Sequence, residues 1–351
     1  MSEMLAVIGG QYGSEGKGVI VNSIASRYTV HVRVGSPNAG HTFYWNNAKH
    51  VMQSIPCGWT NPDAFIIIGR GSLINMKLLK QEIEHIEKYF PDFLSRLIID
   101  ANAGILDEKF HEMEGGINGE MHKRMGSTGE GVGPARIARI NRDPNEFRFF
   151  KDVCDEYGLS HCMHHDTPRL ISNLQNSGHN ILLEGTQGSG LSLLHGSWPW
   201  VTSIDTNAAQ ICAECGIAPS RLSKVLLVCR TYPIRVAGPS GPLYSEINWQ
   251  EISNRLGMQV EEKTTVTKKV RRIGEWDDRL VRNAVLLNNP SSIALTFADY
   301  IDPSVAGVTD RKDFTLEVWR FIRRVEASTG VKVSMVGTGG PGCVVVKLGE
   351  I

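Results

Sequence analysis

A glycine-rich segment near the N-terminus carries residues that could bind phosphate. The apolar run Leu5–Ile8 leads into Gly9-Gly10-Gln11-Tyr12-Gly13-Ser14-Glu15-Gly16-Lys17-Gly18. Glycines lack a Cβ atom, so backbone N–H groups can approach an anion closely, and a lysine or a helix N-terminus adds positive charge. The usual phosphate loop reads G-x-x-x-x-G-K-[ST], but here Gln11 replaces the first glycine and Gly18 replaces the hydroxyl residue. We interpret the segment as a phosphate site, with a purely structural turn as the alternative.

A second motif, Asn38-Ala39-Gly40-His41-Thr42, follows the next predicted strand. It places a histidine, which can gain or lose a proton near neutral pH, beside a glycine whose backbone can meet a phosphate or a metal ion. A lone histidine is more often structural than catalytic. The surrounding pentapeptide is what favours catalysis for His41.

These two motifs resemble the signature pair of adenylosuccinate synthetases, purine-pathway ligases that join aspartate to IMP. Similar blocks follow in order as far as Gly337-Thr338-Gly339, so the resemblance covers nearly the whole chain. It implies one α/β domain over residues 1–351 with the fold of that family, and Mg²⁺ as cofactor. It also assigns catalysis to Lys17, His41 and Gln187, with His41 as the acid that steadies the purine O6 atom.

Ser14 stands where the family has an aspartate that serves as catalytic base and magnesium ligand. This change resembles the bacteriophage branch of the family, which acts on dGMP and supplies the precursor of 2-aminoadenine for phage DNA. Serine is shorter and uncharged, which leaves room for the 2-amino group of guanine, but a hydroxyl needs an activating partner to act as a base. Position alone places Ser14 in catalysis, and Ser14 and Gly40 at the metal. The general base stays unassigned.

The resemblance also implies contacts to the nucleoside monophosphate. Thr128 matches a contact to the 5′-phosphate, and Arg142 matches an arginine that the family donates across a dimer interface, so we expect a homodimer. Thr202 and Gln187 match phosphate and purine contacts, and Val236 lies near the ribose. The full set expected to bind dGMP is Ser14, Asn38, Ser127, Thr128, Arg142, Gln187, Leu191, Thr202 and Val236. A surface position for Arg142 and a helix-capping role for Thr202 remain alternatives.

The aspartate substrate would meet a diverged loop over residues 264–274, which keeps hydroxyls and paired arginines. Two carboxylates on one small molecule need more than one cation, and the alternative is an exposed basic loop. The residues expected to bind L-aspartate are Thr265, Val266, Thr267, Arg271 and Arg272.

The segment expected to bind the base of the nucleoside triphosphate is the second point at which the chain departs from the family. Members that use GTP carry T-K-L-D, in which lysine stacks on guanine and aspartate pairs with it, whereas this chain reads Thr296-Phe297-Ala298-Asp299. An aromatic ring stacks on any purine, which favours ATP or dATP. The residues expected to bind ATP are Gly13, Glu15, Gly16, Lys17, Gly18, Gly40, His41, Thr42, Phe297, Asp299, Gly337, Thr338 and Gly339.

Short apolar segments alternate with amphipathic ones along the chain. The predicted strands are Leu5–Ile8, Thr29–Val34, Phe65–Ile68, Leu97–Ile99, Ile181–Leu183, Val225–Cys229, Ile293–Phe297, Val331–Val336 and Cys343–Leu348, and the predicted helices are 76–90, 168–177, 207–215, 278–288 and 314–328. Such strands predict a mainly parallel sheet buried on both faces, with ligands beyond the carboxyl ends of its strands. Residues 101–145, rich in glycine and weakly periodic, predict a long irregular loop of functional or mobile character.

Composition limits the partners. The 37 basic and 37 acidic residues give a net charge of zero, so we expect no nucleic-acid partner. Residues 1–5 lack a basic signal region and no apolar run approaches the length of a membrane span, so we expect a cytoplasmic protein without a membrane partner. Seven scattered cysteines favour reduced thiols. A metal site at Cys154, His161, Cys162, His164 and His165 is a lesser alternative to ordinary packing.

Three functional hypotheses follow. The first is a ligase that joins dGMP and L-aspartate with ATP. The second is a conventional adenylosuccinate synthetase that uses IMP and GTP. The third is a nucleotide-binding regulator without catalysis, against which the retention of Lys17, His41 and Gln187 argues.

Overall fold

A ten-stranded sheet forms the centre of the computed structural model, which describes residues 2–263, 269–340 and 342–351. Its strands and those of three small sheets are β1 (Met4–Gly9), β2 (Val30–Arg33), β3 (His41–Trp45), β4 (Ala48–Met52), β5 (Phe65–Ile68), β6 (Leu73–Ile74), β7 (Leu97–Asp100), β8 (Gly104–Ile105), β9 (Met163–His164), β10 (Ile181–Glu184), β11 (Lys224–Arg230), β12 (Ile234–Arg235), β13 (Glu246–Ile247), β14 (Arg272–Gly274), β15 (Ser292–Thr296), β16 (Val333–Gly339) and β17 (Val344–Lys347). The α-helices are α1 (Lys17–Ile24), α2 (Met76–Glu87), α3 (Glu108–Glu114), α4 (Glu120–Met125), α5 (Val132–Asn141), α6 (Thr167–Asn176), α7 (Ala208–Cys215), α8 (Trp249–Leu256), α9 (Asp278–Asn288) and α10 (Leu316–Thr329).

The strand order of the central sheet is β17-β16-β15-β11-β1-β10-β2-β5-β7-β9. Neighbouring strands are parallel except β16 and β17, which are antiparallel. All nine predicted strands lie in this sheet, and the predicted mainly parallel architecture is confirmed. The sheet brings the carboxyl ends of β1, β2, β10, β11 and β15 to one edge, where the sequence motifs begin.

Both faces of the sheet are buried, as the apolar strands predict. On β1, Leu5 and Val7 pack into one hydrophobic cluster, whereas Met4, Ala6 and Ile8 pack into another. Successive side chains of a strand point to opposite faces, so two separate cores are expected from one continuous apolar run. The strand that carries the phosphate segment is therefore held from both sides.

The expectation of an irregular loop over residues 101–145 is wrong. This part of the chain holds β8, α3, α4 and α5. Its glycines end or begin short helices in the left-handed conformation, with φ of 75° at Gly115, 71° at Gly126 and 80° at Gly131. Glycine is favoured at such caps because it carries no Cβ atom. The glycine content therefore reflects helix boundaries and not a long loop.

The cysteines are all free, and six of the seven are buried. Cys154 and Cys162 pack into the hydrophobic core, and among the described residues they do not join the nearby histidines as a set of metal ligands. The burial of Cys154 and Cys162 agrees with ordinary packing of that cluster. In the described ranges, none of the helices combines the length and apolar character needed to cross a bilayer.

Candidate active site

The phosphate segment forms a tight turn between the end of β1 and the start of α1. Gly16 occupies the N-cap position of α1 with φ of 84°, and Ser14 also adopts a left-handed conformation, with φ of 58°. A Cβ atom at Gly9 would lie 2.4 Å from the carbonyl oxygen of Gln187. The glycines therefore allow the turn to pack directly against the segment that carries Gln187.

Glu15 holds this turn together from the inside. Its buried Oε1 atom accepts hydrogen bonds from the backbone N–H groups of Gln11 (3.1 Å) and Gly13 (2.8 Å). Its Oε2 atom pairs with the Nζ atom of Lys17 at 2.6 Å, and Lys17 also donates to the carbonyl oxygen of Gln187. The carboxylate thus orients Lys17. The expectation that Glu15 and Lys17 bind ATP stays a prediction.

His41, the first residue of β3, is buried against two charged side chains from neighbouring strands of the main sheet. Its Nδ1 atom lies 2.5 Å from Oε1 of Glu184, and the same oxygen accepts from Arg33 at 3.0 Å. The second carboxylate oxygen of Glu184 accepts from the backbone N–H of Cys57 at 2.7 Å. These contacts satisfy the carboxylate and fix the imidazole ring.

Burial and the positive charge of Arg33 lower the pKa of His41 to about 4. Burial alone would raise the pKa of Glu184, but the hydrogen bond from His41 and the charge of Arg33 lower it to about 2. Near neutral pH the pair therefore consists of a neutral imidazole and a carboxylate. The Nδ1–H group donates to Glu184, which leaves the lone pair of the imidazole on Nε2.

A cavity gathers most of the residues expected to bind the monophosphate. Its lining includes Ser14, Lys17, Asn38, Gly40, His41, Ser127, Thr128, Gln187, Leu191, Thr202, Val236 and Arg271. Cations among the lining residues are Lys17, Arg235, Lys269 and Arg271, whereas Glu114 is the carboxylate. This excess of positive charge suits a phosphorylated substrate. The assigned roles remain predictions.

Arg271 and Arg272, both expected to bind the aspartate substrate, have different surroundings. Arg271 lines the cavity and donates a hydrogen bond from Nη1 to the hydroxyl oxygen of Ser14. Arg272 forms an ion pair with Glu246 at 2.6 Å and donates to the carbonyl oxygen of Gly241 at 2.8 Å. The structure therefore brings Arg271 to the cavity and does not bring Arg272 there. The expected contacts at Thr265, Val266 and Thr267 lie outside the described residues.

The residues expected at the base of the triphosphate lie beyond the end of β15. Phe297 has φ of 60°, and Asp299 lies in the turn that follows. Burial raises the pKa of Asp299 to about 6, and its buried Oδ1 atom has no hydrogen-bond partner among the residues that the structure describes. A Cβ atom at Gly339 would lie 2.2 Å from Oδ2 of Asp299. Asp299 is therefore an unsatisfied acceptor next to the end of β16.

Thr296 connects this region to the phosphate segment. A Cβ atom at Gly16 would lie 3.3 Å from its methyl group, and one at Gly337 would lie 3.5 Å from its Cα atom. Its hydroxyl donates to the carbonyl oxygen of Glu15 at 2.6 Å. Thr338 is fully buried and donates to the carbonyl oxygen of Val308, so its hydroxyl serves the fold.

Gly18 and Thr42, two further residues expected to bind ATP, lie in the first turn of α1 and in β3. A Cβ atom at Gly18 would lie 2.8 Å from the carbonyl oxygen of Thr42. The start of α1 is therefore packed closely against β3.

The family model for adenylosuccinate synthetase matches residues 6–161 and 146–304. The chain belongs to this family. The adenylosuccinate synthetase of Methanococcus maripaludis strain S2 is 36% identical over 336 residues, which cover 95% of each chain. That of Methanocaldococcus jannaschii is 34% identical and covers 95% of this chain and 93% of its own. The protein is therefore a carbon–nitrogen ligase of the adenylosuccinate synthetase family.

Solved structures of two family members are similar to this one. The succinoaminodeoxyadenylate synthetase of cyanophage S-2L, bound to dGMP and to dATP as energy donor, is 29% identical with a TM-score of 0.81, covering 99% of this chain and 95% of its own. The adenylosuccinate synthetase of Plasmodium falciparum has a TM-score of 0.83 at 19% identity, covering 98% and 99% of the two chains. The second likeness shows the fold alone.

Arg142, which the family pattern places at a dimer interface, lies on the surface. It follows the last residue of α5 with φ of 59° and is exposed to solvent. It does not line the cavity. This placement agrees both with a contact to a second copy of the chain and with a simple surface position, so an active site shared across a homodimer stays a prediction.

The family implies Mg²⁺, which prefers oxygen ligands and retains several waters. Gly40 lines the cavity and offers a backbone carbonyl. The hydroxyl of Ser14 accepts from the guanidinium of Arg271, and that positive charge opposes a metal ion at the same oxygen. Buried ligand atoms within 4.8 Å of one another occur at His41, Cys57 and Glu184. Because nitrogen and sulfur suit softer metals, Gly40 with nucleotide phosphates is the set that fits Mg²⁺.

Sequence reasoning missed several charged residues of this site. Glu184, Arg33 and Arg230 are each the last residue of an apolar strand, and all three are buried. Arg235 lines the cavity and lies 3.7 Å over the ring of Tyr12. A buried charge that ends an apolar strand was the available signal, because such a group needs a partner at the sheet edge where ligands bind.

Proposed function

We propose that the protein joins L-aspartate to C6 of dGMP, with ATP or dATP as phosphoryl donor. The product would be N6-succino-2-amino-2′-deoxyadenylate, a precursor for 2-aminoadenine DNA in a phage-infected cytoplasm. The main support for the proposal is the position of Ser14 in the cavity. Its hydroxyl accepts a hydrogen bond from Arg271 at the place where the family pattern has a carboxylate. The S-2L enzyme, solved with dGMP and dATP, supports the same assignment.

The substrate purine would lie between Ser14 and Gln187, with the sugar towards Val236. A serine leaves space beside N1 and C2 for the exocyclic amino group. Val236 is a candidate for excluding a 2′-hydroxyl. The 5′-phosphate would meet Thr128 and Thr202, in a cavity with a surplus of cations.

In the first step, the hydroxyl of Ser14 would relay the N1 proton of the purine to water, O6 bonds to the γ-phosphorus, and the bond from that phosphorus to the leaving ADP oxygen breaks. Lys17 and the N-terminus of α1 would balance the charge on the phosphates. A triphosphate placed near His41 raises the pKa of its imidazole, so that Nε2 can carry a proton towards O6. Glu184 would keep the ring oriented throughout.

In the second step, the amine of aspartate bonds to C6 and phosphate leaves with the former O6 atom. The amine gives a proton to the departing phosphate as the new bond forms. Arg271 would bind a substrate carboxylate through its planar fork. Mg²⁺, held by the carbonyl of Gly40 and by phosphate oxygens, would supply positive charge that activates the γ-phosphate.

For the donor base, Phe297 and Asp299 favour adenine. The ring of Phe297 can stack on a purine. The Oδ1 atom of Asp299, which has no hydrogen-bond partner in the described part of the chain, can accept from an exocyclic amino group. A carboxylate could also accept from N1–H and the 2-amino group of guanine. The absence of the lysine of the GTP-type segment weakens the case for guanine and so supports adenine as the donor base.

A conventional activity with IMP and GTP is the second candidate, because the Methanococcus maripaludis relative at 36% identity is an adenylosuccinate synthetase. The deciding experiment is a matrix of dGMP, GMP and IMP against ATP, dATP and GTP, with aspartate present and phosphate release as readout. We expect the highest kcat/KM for dGMP with an adenine donor. Equal or faster turnover of IMP with GTP supports the conventional activity, and no turnover supports a non-catalytic regulator.

A further inference from the structure

Arg230, the last residue of β11, is a fully buried arginine next to the candidate site. Its backbone N–H donates to Oε1 of Gln11 at 2.9 Å, and its carbonyl oxygen accepts from Nε2 of Gln11 at 3.0 Å. These two hydrogen bonds fix the start of the phosphate turn to a neighbouring strand. A buried guanidinium also requires charged or polar partners of its own.

The guanidinium of Arg230 is bound to the segment that leads towards Arg271. Its Nη2 and Nη1 atoms donate to the two carboxylate oxygens of Glu262, at 2.5 and 3.2 Å. The backbone N–H of Arg271 donates to the carbonyl oxygen of Glu262 at 2.9 Å, and its side chain donates to Ser14. Arg230 in turn donates to the carbonyl oxygen of Ser14 at 3.2 Å. These four residues form a closed ring of hydrogen bonds.

The flat face of the same guanidinium covers Phe297, with 4.0 Å between the guanidinium carbon and the ring centroid. Tyr300 packs on Phe297 with ring centroids 5.3 Å apart, and its hydroxyl donates to Glu262 at 3.0 Å. Cation–π stacking and the ion pair both depend on the orientation of one planar group. The guanidinium of Arg230 therefore contacts both Phe297, expected at the donor base, and Glu262, which is hydrogen-bonded to Arg271.

We propose that Arg230 is a positioning residue that couples binding of the nucleoside triphosphate to binding of aspartate. This inference rests on the proposed function, because it takes Phe297 as the contact to the donor base and Arg271 as the contact to aspartate. A purine stacked on Phe297 fixes the plane of the Arg230 guanidinium. The two hydrogen bonds from Arg230 then fix Glu262, whose carbonyl oxygen binds the backbone N–H of Arg271. Thermodynamic linkage makes the coupling reciprocal, so aspartate tightens donor binding by the same factor.

The test measures KM for aspartate at several donor concentrations in the wild type and in Arg230→Lys. Lysine keeps the charge but loses the planar fork and the stacking face. In the wild type, KM for aspartate falls about tenfold as the donor saturates. In Arg230→Lys it stays nearly constant, while KM for the purine monophosphate changes by less than about twofold. The matched control is Arg96→Lys, a buried arginine that binds backbone carbonyls outside the cavity and should lower stability without changing the coupling.

The proposal is overturned if Arg230→Lys keeps the wild-type coupling, or if the KM values of all three substrates rise equally. If that variant does not fold, Glu262→Gln removes the same two-point contact and should abolish the coupling. The substrate matrix comes first, and the coupling is then measured with whichever purine pair the wild type turns over. Failure of the dGMP assignment therefore leaves this test valid. A wild type without turnover is tested by calorimetric titration of ATP with and without aspartate.

Discussion

The Nδ1 atom of His41 lies 2.5 Å from the Oε1 atom of Glu184, and the two residues are separated by 143 positions in the chain. Because Glu184 is ionised and buried, it holds the proton of His41 on Nδ1 and directs Nε2 away from the carboxylate. The motif that contains His41 supplies the titratable group, and a distant strand end determines its protonation state.

Replacing Glu184 with glutamine should lower kcat by about a hundredfold, because the imidazole loses its orienting charge. The alkaline limb of the pH–rate profile should also move to lower pH, since the carboxylate no longer favours the protonated form of His41. Steady-state kinetics between pH 5 and 9 measure both effects. Asp100→Asn is the control, a fully buried carboxylate that binds Arg70 and Thr167 instead. A Glu184→Gln enzyme with an unchanged pH profile would show that Glu184 has no such role.

Stability should fall as the pH drops from 6.5 towards 4. Burial lowers the pKa of both His31 and His41 to about 4, so the unfolded chain takes up protons that the folded chain does not. Each histidine then contributes a slope of about 1.4 kcal/mol per pH unit in this window. Urea unfolding at pH 7.5, 6.0 and 5.0 measures the slope. His31→Gln should reduce the slope by the contribution of one proton, about 1.4 kcal/mol per pH unit. An identical slope in the variant would contradict the lowered pKa of His31.

Lys17 should contribute to both stability and turnover, and the two can be separated. Lys17→Met leaves Glu15 buried without its cation, which should cost about 3–5 kcal/mol, and should lower kcat at least a hundredfold. The double variant Lys17→Met/Glu15→Gln removes both charges and should recover part of the stability but none of the turnover. Thermal unfolding and phosphate release measure the two properties. Recovery of turnover in the double variant would exclude a direct role for Lys17 at the phosphates.

Restoring the family carboxylate at Ser14 should change substrate preference. Ser14→Asp places a proton acceptor near N1 and next to Arg271, so kcat/KM for IMP should rise. The same group would occupy the space assigned to the guanine 2-amino group, so kcat/KM for dGMP should fall. Ser14→Asn, similar in size but uncharged, should lower dGMP turnover without improving IMP. If both substrates improve with Ser14→Asp, the carboxylate accepts both N–H groups of guanine, and Ser14 is not the specificity determinant.

The exposed face of α5 should form part of a dimer interface. Ile137 and Ile140 are 60% and 71% exposed, and Arg142 follows directly. Ile140→Glu should weaken the dimer in analytical ultracentrifugation, whereas Leu286→Glu, at an 82% exposed position on α9, should not. Mixed Arg142→Ala and Lys17→Ala chains should regain activity through hybrid dimers. No recovery despite demonstrated subunit exchange would argue against a shared site.

The sequence predicted the strands because each is a continuous apolar run, and a parallel sheet buried on both faces is the arrangement that such runs favour. The sequence did not predict the different positions of Arg271 and Arg272. Arg271 and Arg272 are adjacent at the start of β14, and neighbouring side chains of an extended chain point in opposite directions. Arg271 therefore reaches the cavity and Arg272 reaches Glu246. Assigning both to aspartate ignored this alternation.

The pairing of His41 with Glu184 and of Arg230 with Glu262 could not be read from spacing. In each pair, one residue ends a strand of the main sheet and the other lies outside that sheet, in β3 for His41 and in the segment after α8 for Glu262. A local pattern can indicate that a strand ends in a charged residue, but the partner depends on which distant segment packs over that strand end. These contacts therefore cannot be predicted from sequence motifs.

The order of strands around β1 also has a consequence for biosynthesis. β1 lies between β10 and β11, which begin at Ile181 and Lys224. When the phosphate segment leaves the ribosome, neither neighbour has been made. β1 has no partner strand until β10 has emerged, after about half of the chain, and it lacks its second partner until β11 has emerged, after about two-thirds. Such late, long-range pairing slows folding and exposes aggregation-prone edges. Nascent chains that end before Arg230 should accordingly depend on chaperones, although they already contain every residue of the first motif.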